Sequence, residues 1–122
     1  MNQKEFKEIV IEALEALPDF FKQKLENVSV VVEDEPRREQ LRKLKSGRGE
    51  ILLGLYEGIP LMDRNQAYGM VLPDKISLFK KNIESICNTE AQIKEQVIHI
   101  VQHEIAHHFG ISDEELRRLG KY

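Results

Sequence analysis

Apolar residues near the start of the chain recur at Phe6, Ile9, Val10, Ala13, Leu14 and Leu17, the spacing of one face of a helix. Asn2, with Glu5 three residues on, can cap that helix, and Pro18 ends it because proline has no N–H and its ring collides with the preceding turn. A short second helix is expected from Asp19 to Leu25. The period then drops to two. Val28, Val30 and Val32 alternate with Ser29, Val31 and Glu33, predicting a strand with three valines on one face. Residues 50–57, Glu-Ile-Leu-Leu-Gly-Leu-Tyr-Glu, are apolar on both faces, as in a strand covered by a helix. Gly58-Ile59-Pro60 must turn the chain, the polar run from Asp63 to Gly69 reads as a loop, and Lys75 to Lys80 as a third strand.

Helical spacing returns near the end. Thr89-x-x-Gln92 reads as a capping box and Gly110 suits the left-handed position that closes a helix, so one helix is expected over about 90–109. At ~100° per residue, Ile93, Val97, Ile100, Val101 and Ile105 form its apolar face, and Gln96, His99, His103 and His107 line the adjacent stripe. The pattern as a whole predicts helices and about three strands within one domain spanning residues 1–122.

Composition narrows the class. A length of 122 residues suits a single core, and 41% hydrophobic with 32% charged residues is the balance of a soluble globular chain. The apolar runs are too short to span a membrane, and the first residues lead into an amphipathic helix rather than a signal sequence, so a cytoplasmic location and no membrane partner are expected. Residues 36–48 hold six basic side chains. They lack interleaved aromatics, and the formal charge of the chain is −3, so the segment reads as a solvated connection containing a short helix docked through Leu41 and Leu44. No nucleic-acid partner is expected. Cys87, the single cysteine, has no disulfide partner and reads as a small apolar residue near a helix start.

The chemistry lies in His103-Glu104-Ile105-Ala106-His107. Two histidines four apart on a helix project from one face and can reach one Zn²⁺, while the glutamate between them reaches the activated water as general base. Catalytic zinc sites take three protein ligands and keep a position for water. His99 cannot join His103 and His107 on one ion, because eight residues of helix span ~12 Å, whereas nitrogens around tetrahedral zinc lie only ~3.4 Å apart. Fifteen residues follow His107, too few for a glutamate on a second helix some twenty residues on. Asp113 remains, if Gly110 turns the chain back toward the metal. Asp113 has a competing role: Ser112-x-x-Glu115 is itself a capping box, and an acid just after the cap suits the positive end of the next helix. His108 is the next candidate but points roughly 100° away from His107, and His99 fits better beside the cleft or behind a ligand.

The run His103-Glu104-Ile105-Ala106-His107-His108-Phe109-Gly110-Ile111-Ser112-Asp113-Glu114-Glu115-Leu116 resembles the signature of a small bacterial family of zincin-like zinc metallopeptidases, the minimal zincins. Val30-Val31-Val32-Glu33-Asp34-Glu35-Pro36, Leu53-Gly54-Leu55-Tyr56-Glu57-Gly58-Ile59-Pro60-Leu61 and Pro73-Asp74-Lys75-Ile76-Ser77-Leu78-Phe79 agree with it. The resemblance implies a compact zincin-like α+β fold, one Zn²⁺ on His103, His107 and Asp113, and Glu104 as the catalytic residue. No methionine follows the motif, so the Met-turn of larger metzincins is absent. The expected activity is hydrolysis of a peptide or small amide, with Tyr56, Tyr68 and Arg117 as candidate donors to the developing oxyanion. The alternative is a zinc-stabilised binding or regulatory domain without proteolysis. Two imidazoles and a carboxylate also suit non-haem Fe(II), but Glu104 would then have no task, which favours zinc.

Overall fold

Asn2 caps the first helix from both directions. Its side chain accepts the Glu5 N–H at 2.8 Å while the Glu5 carboxylate accepts the Asn2 N–H at 3.2 Å, satisfying two N–H groups at the start of α1 (Gln3–Glu15). The computed structural model describes residues 1–42, 51–58 and 74–118, with Asp113 described by its backbone alone. Phe6, Ile9, Val10 and Ala13 form the buried face of α1, as their spacing predicts. The Pro18 carbonyl accepts from Phe21 and Lys22 and opens α2 (Asp19–Lys24), which buries Phe21.

Three strands, β1 (Val28–Glu33), β2 (Gly54–Glu57) and β3 (Asp74–Phe79), form a mixed sheet in the order β1-β3-β2. β1 runs parallel to β3 and β2 antiparallel to it. Val30 and Tyr56 lie opposite Ile76, and Val32 and Gly54 lie opposite Leu78, so side-chain alternation puts these residues on one face of the sheet. That face meets the long helix α5 (Glu90–His108), and α1 packs along α5. Ile76 and Leu78 on the central strand are fully buried, and Val28, Val30 and Val32 pack against the same core. The remaining helices among the described residues are α3 (Arg38–Leu41), α4 (Lys80–Ser85) and α6 (Asp113–Arg118). The fold is α+β, a small mixed sheet of three strands packed against helices, as the family resemblance implies.

Three details differ from the sequence reading. The strand expected over 50–57 is only Gly54–Glu57. Its partner β3 passes directly into α4 at Lys80, so the ladder ends with Phe79 N–H donating to the Leu53 carbonyl, and the Leu52 carbonyl accepts from the Asn82 side-chain amide of α4 at 2.8 Å. The short helix α3 docks through Gln40 rather than Leu41, which stays exposed; Leu44 lies outside the described residues. The Gln40 amide donates to the Glu33 and Glu57 carboxylates, which fills its donors and permits burial. At the start of α5 the Thr89 hydroxyl accepts the Gln92 N–H as expected, but the Gln92 side chain accepts from Asn88 N–H instead of Thr89. The expected turn at Ile59-Pro60 and the loop from Asp63 to Gly69 lie outside the described residues. No helix among those described is long and apolar enough to cross a membrane.

Candidate metal centre

The register of α5 decides where the motif points. Ile93, Val97, Ile100, Val101 and Ile105 are all buried, so the neighbouring stripe faces the rim of the core rather than its interior. His103 and Glu104 are half-buried there and His107 is exposed. The His103 and His107 rings lie 4.0 Å apart between centroids, tilted by 55°. One ligand atom from each of His103, Glu104 and His107 falls within 4.8 Å of the others. The two imidazoles are donors that suit zinc, and the carboxylate beside them is that of Glu104.

Glu104 is tied to the sheet. Its Oε1 accepts the backbone N–H of Tyr56 on β2 at 3.0 Å, a charge-assisted bond to an edge strand. Tyr56 is fixed on its other sides as well. Its ring stacks on His108, with centroids 3.9 Å apart and planes 17° from parallel, and its hydroxyl donates to Asp74 Oδ2 at 2.8 Å. His108 Nε2 approaches the same oxygen at 3.9 Å. His108 therefore turns away from the His103–His107 cluster, in line with its angular offset along the helix. The Tyr56 hydroxyl proton is directed at Asp74 and not at the metal site. Arg117 is exposed on α6, and Tyr68 lies outside the described residues.

His99 is exposed, and its ring stacks on that of His103 at 5.9 Å. Among the described residues it does not join the metal-binding cluster. It borders a groove of about 280 Å³ between residues 51–54 and α5, lined by Ile51, Leu52, Leu53, Gly54, Gln96 and Ile100 and reaching His103 and Glu104. An apolar wall thus runs directly into the cluster.

Gly110 turns the chain after α5. At φ +70° it takes the left-handed conformation that glycine adopts without strain. Ile111 N–H donates to the Ala106 carbonyl at 2.7 Å and Gly110 N–H to the His107 carbonyl at 3.3 Å, the paired bonds of a Schellman close. The Ser112 hydroxyl then accepts the Glu115 N–H at 3.1 Å and caps α6. Asp113 is the first residue of α6, and its side chain lies outside the described residues. Asp74 and the Tyr56 amide went unnoticed in the sequence. A backbone donor leaves no trace in residue identity, and Asp74 reads as an ordinary residue at a strand start.

No curated protein matches the sequence. Among solved structures, a conserved hypothetical protein from Thermo thermophilus has a similar fold, with TM-score 0.55 and 23% identity over 89% of this chain and 94% of that one. The more specific likeness lies in the sequence around the helix and sheet just described: residues 25–121 match the family model described as zincin-like metallopeptidase, and the chain belongs to that family.

Proposed function

We propose that this protein hydrolyses peptide or small amide bonds, using one Zn²⁺ held by His103, His107 and Asp113 and Glu104 as general base. The observation that carries this reading is the His103–Glu104–His107 cluster at the end of an apolar groove, with Glu104 anchored through one oxygen to Tyr56 N–H. Zinc at this position would supply Lewis acidity to an attacking water and to the carbonyl oxygen under attack. Glu104 accepts the water proton as the carbonyl is attacked and passes it to the leaving amine. The His103 and His107 imidazoles would hold the metal, and the Tyr56 bond engages one oxygen of Glu104, leaving the second to take the water proton.

The substrate lies along β2, the edge strand packed against α5. An extended peptide beside β2 rises about 3.4 Å per residue with its side chains alternating, so those facing the groove recur about every 6.8 Å, and Ile51, Leu52 and Ile100 select an apolar side chain next to the scissile bond. The test is metal content by mass spectrometry, together with hydrolysis of a quenched-fluorescent peptide library. Wild type and Glu104→Gln should each hold about one equivalent of zinc, with hydrolysis only in the wild type. His107→Ala and Asp113→Asn should lose the metal. Retained zinc with no hydrolysis by the wild type would overturn the peptidase reading in favour of a zinc-stabilised binding domain.

A further inference from the structure

A general base on a long side chain works only if its carboxylate is held in one orientation, because small misplacements of a reacting group cost large factors in rate. In this protein the hold comes from another element. Glu104 on α5 accepts the N–H of Tyr56 on β2, a position held by the ladder to β3 and by what grips the Tyr56 ring. The ring lies flat on His108, one helical turn beyond Glu104 on the same helix. Its hydroxyl is bonded to Asp74 at the start of β3, and the His108 edge approaches the same carboxylate. The connections close a circuit: Glu104 to the Tyr56 amide, Tyr56 ring to His108 and Asp74, and back along α5 to Glu104.

We infer that Tyr56 is a positioning residue for Glu104, with His108 and Asp74 acting as the clamp that holds it. The inference rests on the reading of Glu104 as general base. It gives the second histidine of the His107-His108 pair a task away from the metal: it serves as the platform for the edge strand. A buttress that only stabilised the fold would also be served by any apolar side chain stacked on His108. The bond from the hydroxyl to Asp74, which orients the ring within its own plane, and the amide directed at Glu104 favour positioning.

Two readouts test this. The first is hydrogen exchange of the Tyr56 amide by NMR, which reports the bond to Glu104 without any need for turnover. The second is kcat and KM on a fluorogenic peptide that the wild type cleaves. Glu104→Ala should deprotect the Tyr56 amide. Tyr56→Leu should deprotect amide 56 while the Ile76 and Leu78 amides stay protected, and should lower kcat by about 10- to 100-fold with KM within about twofold and zinc content unchanged. Tyr56→Phe, which keeps the stack on His108 but loses the bond to Asp74, should fall between the wild type and Tyr56→Leu in both kcat and amide protection. His108→Ala tests the same clamp without touching Tyr56, should the leucine variant not fold. Unchanged amide protection and kcat in both Tyr56→Leu and His108→Ala, or a rise in KM alone, would overturn the inference. If the wild type cleaves no peptide, the proposed function fails, and the exchange data still decide whether the clamp exists.

Discussion

Gly54 and Ile100 touch so closely that a β-carbon on Gly54 would lie 2.5 Å from the Ile100 Cγ2 and 3.1 Å from the Ser77 carbonyl oxygen. The absence of a side chain is what lets β2 lie against α5 and brings the Tyr56 amide within reach of Glu104 two residues on. Gly54→Ala should therefore destabilise the protein by about 1–3 kcal/mol, the range for overpacking a tight core. Thermal melting would measure the loss. An unchanged melting temperature would mean that the strand can ride outward freely, and then the contact does not fix the site.

Zinc should stabilise the folded chain. Its donors converge only when α5 is formed, so binding favours the native state by about 2.7 kcal/mol at a hundredfold excess over Kd. Adding Zn²⁺ to chelator-treated protein should raise the melting temperature, and His103→Ala should abolish the rise. Calorimetric melts with and without metal are the check. A shift that survives in His103→Ala would place the metal elsewhere.

Asp113 and Ser112 can be separated by substitution. The Ser112 hydroxyl caps α6 through Glu115 N–H, so Ser112→Ala should lower stability by about 1 kcal/mol and leave zinc affinity intact. Asp113→Asn should do the reverse, weakening zinc strongly with little effect on the metal-free melt. Competition for zinc against a fluorescent chelator and melts of the metal-free protein distinguish the two. Equal zinc affinity in wild type and Asp113→Asn would remove Asp113 from the ligand set.

Much of the fold was legible because α1, β1 and α5 each carry a single clear period. The α5 face from Ile93 to Ile105 and the alternating valines of β1 both pack as their spacing demands. The motif was legible for the same reason, since its spacing places both histidines on one stripe. What escaped was set by tertiary partners. Residues 50–53 look like strand, but β3 turns into α4 and leaves residues 51 and 52 without a ladder partner. Gln40 looks like a surface residue of a basic segment, yet it is buried because two carboxylates from different strands accept its amide hydrogens. Neither fact is written in local sequence. The tie between Tyr56 and Glu104 joins residues 48 positions apart through a backbone atom, which no side-chain pattern reveals. Cys87 is simpler: it packs partly against the core and burial pushes its thiol pKa up, which suits the apolar role read from its position.

Glu84 gives the fold an acid-sensitive contact away from the metal site. Burial works to raise its carboxyl pKa, but hydrogen bonds from Lys80 at 3.0 Å and from the terminal ammonium of Met1 at 3.3 Å outweigh burial and hold it below the ordinary value of 4.5. A carboxyl whose folded pKa is depressed contributes stability that is fully present above its unfolded value and lost as pH falls through the folded one. The contribution is modest, at most about 1 kcal/mol for a partly exposed cluster of this kind. Melting temperature against pH should therefore fall more steeply below about pH 4.5 in the wild type than in Glu84→Gln. Above that pH the variant should be the less stable of the two, and the curves should converge as the wild-type carboxyl takes up its proton. Parallel curves across the acid range would show that the Lys80–Glu84 contact adds nothing to folding.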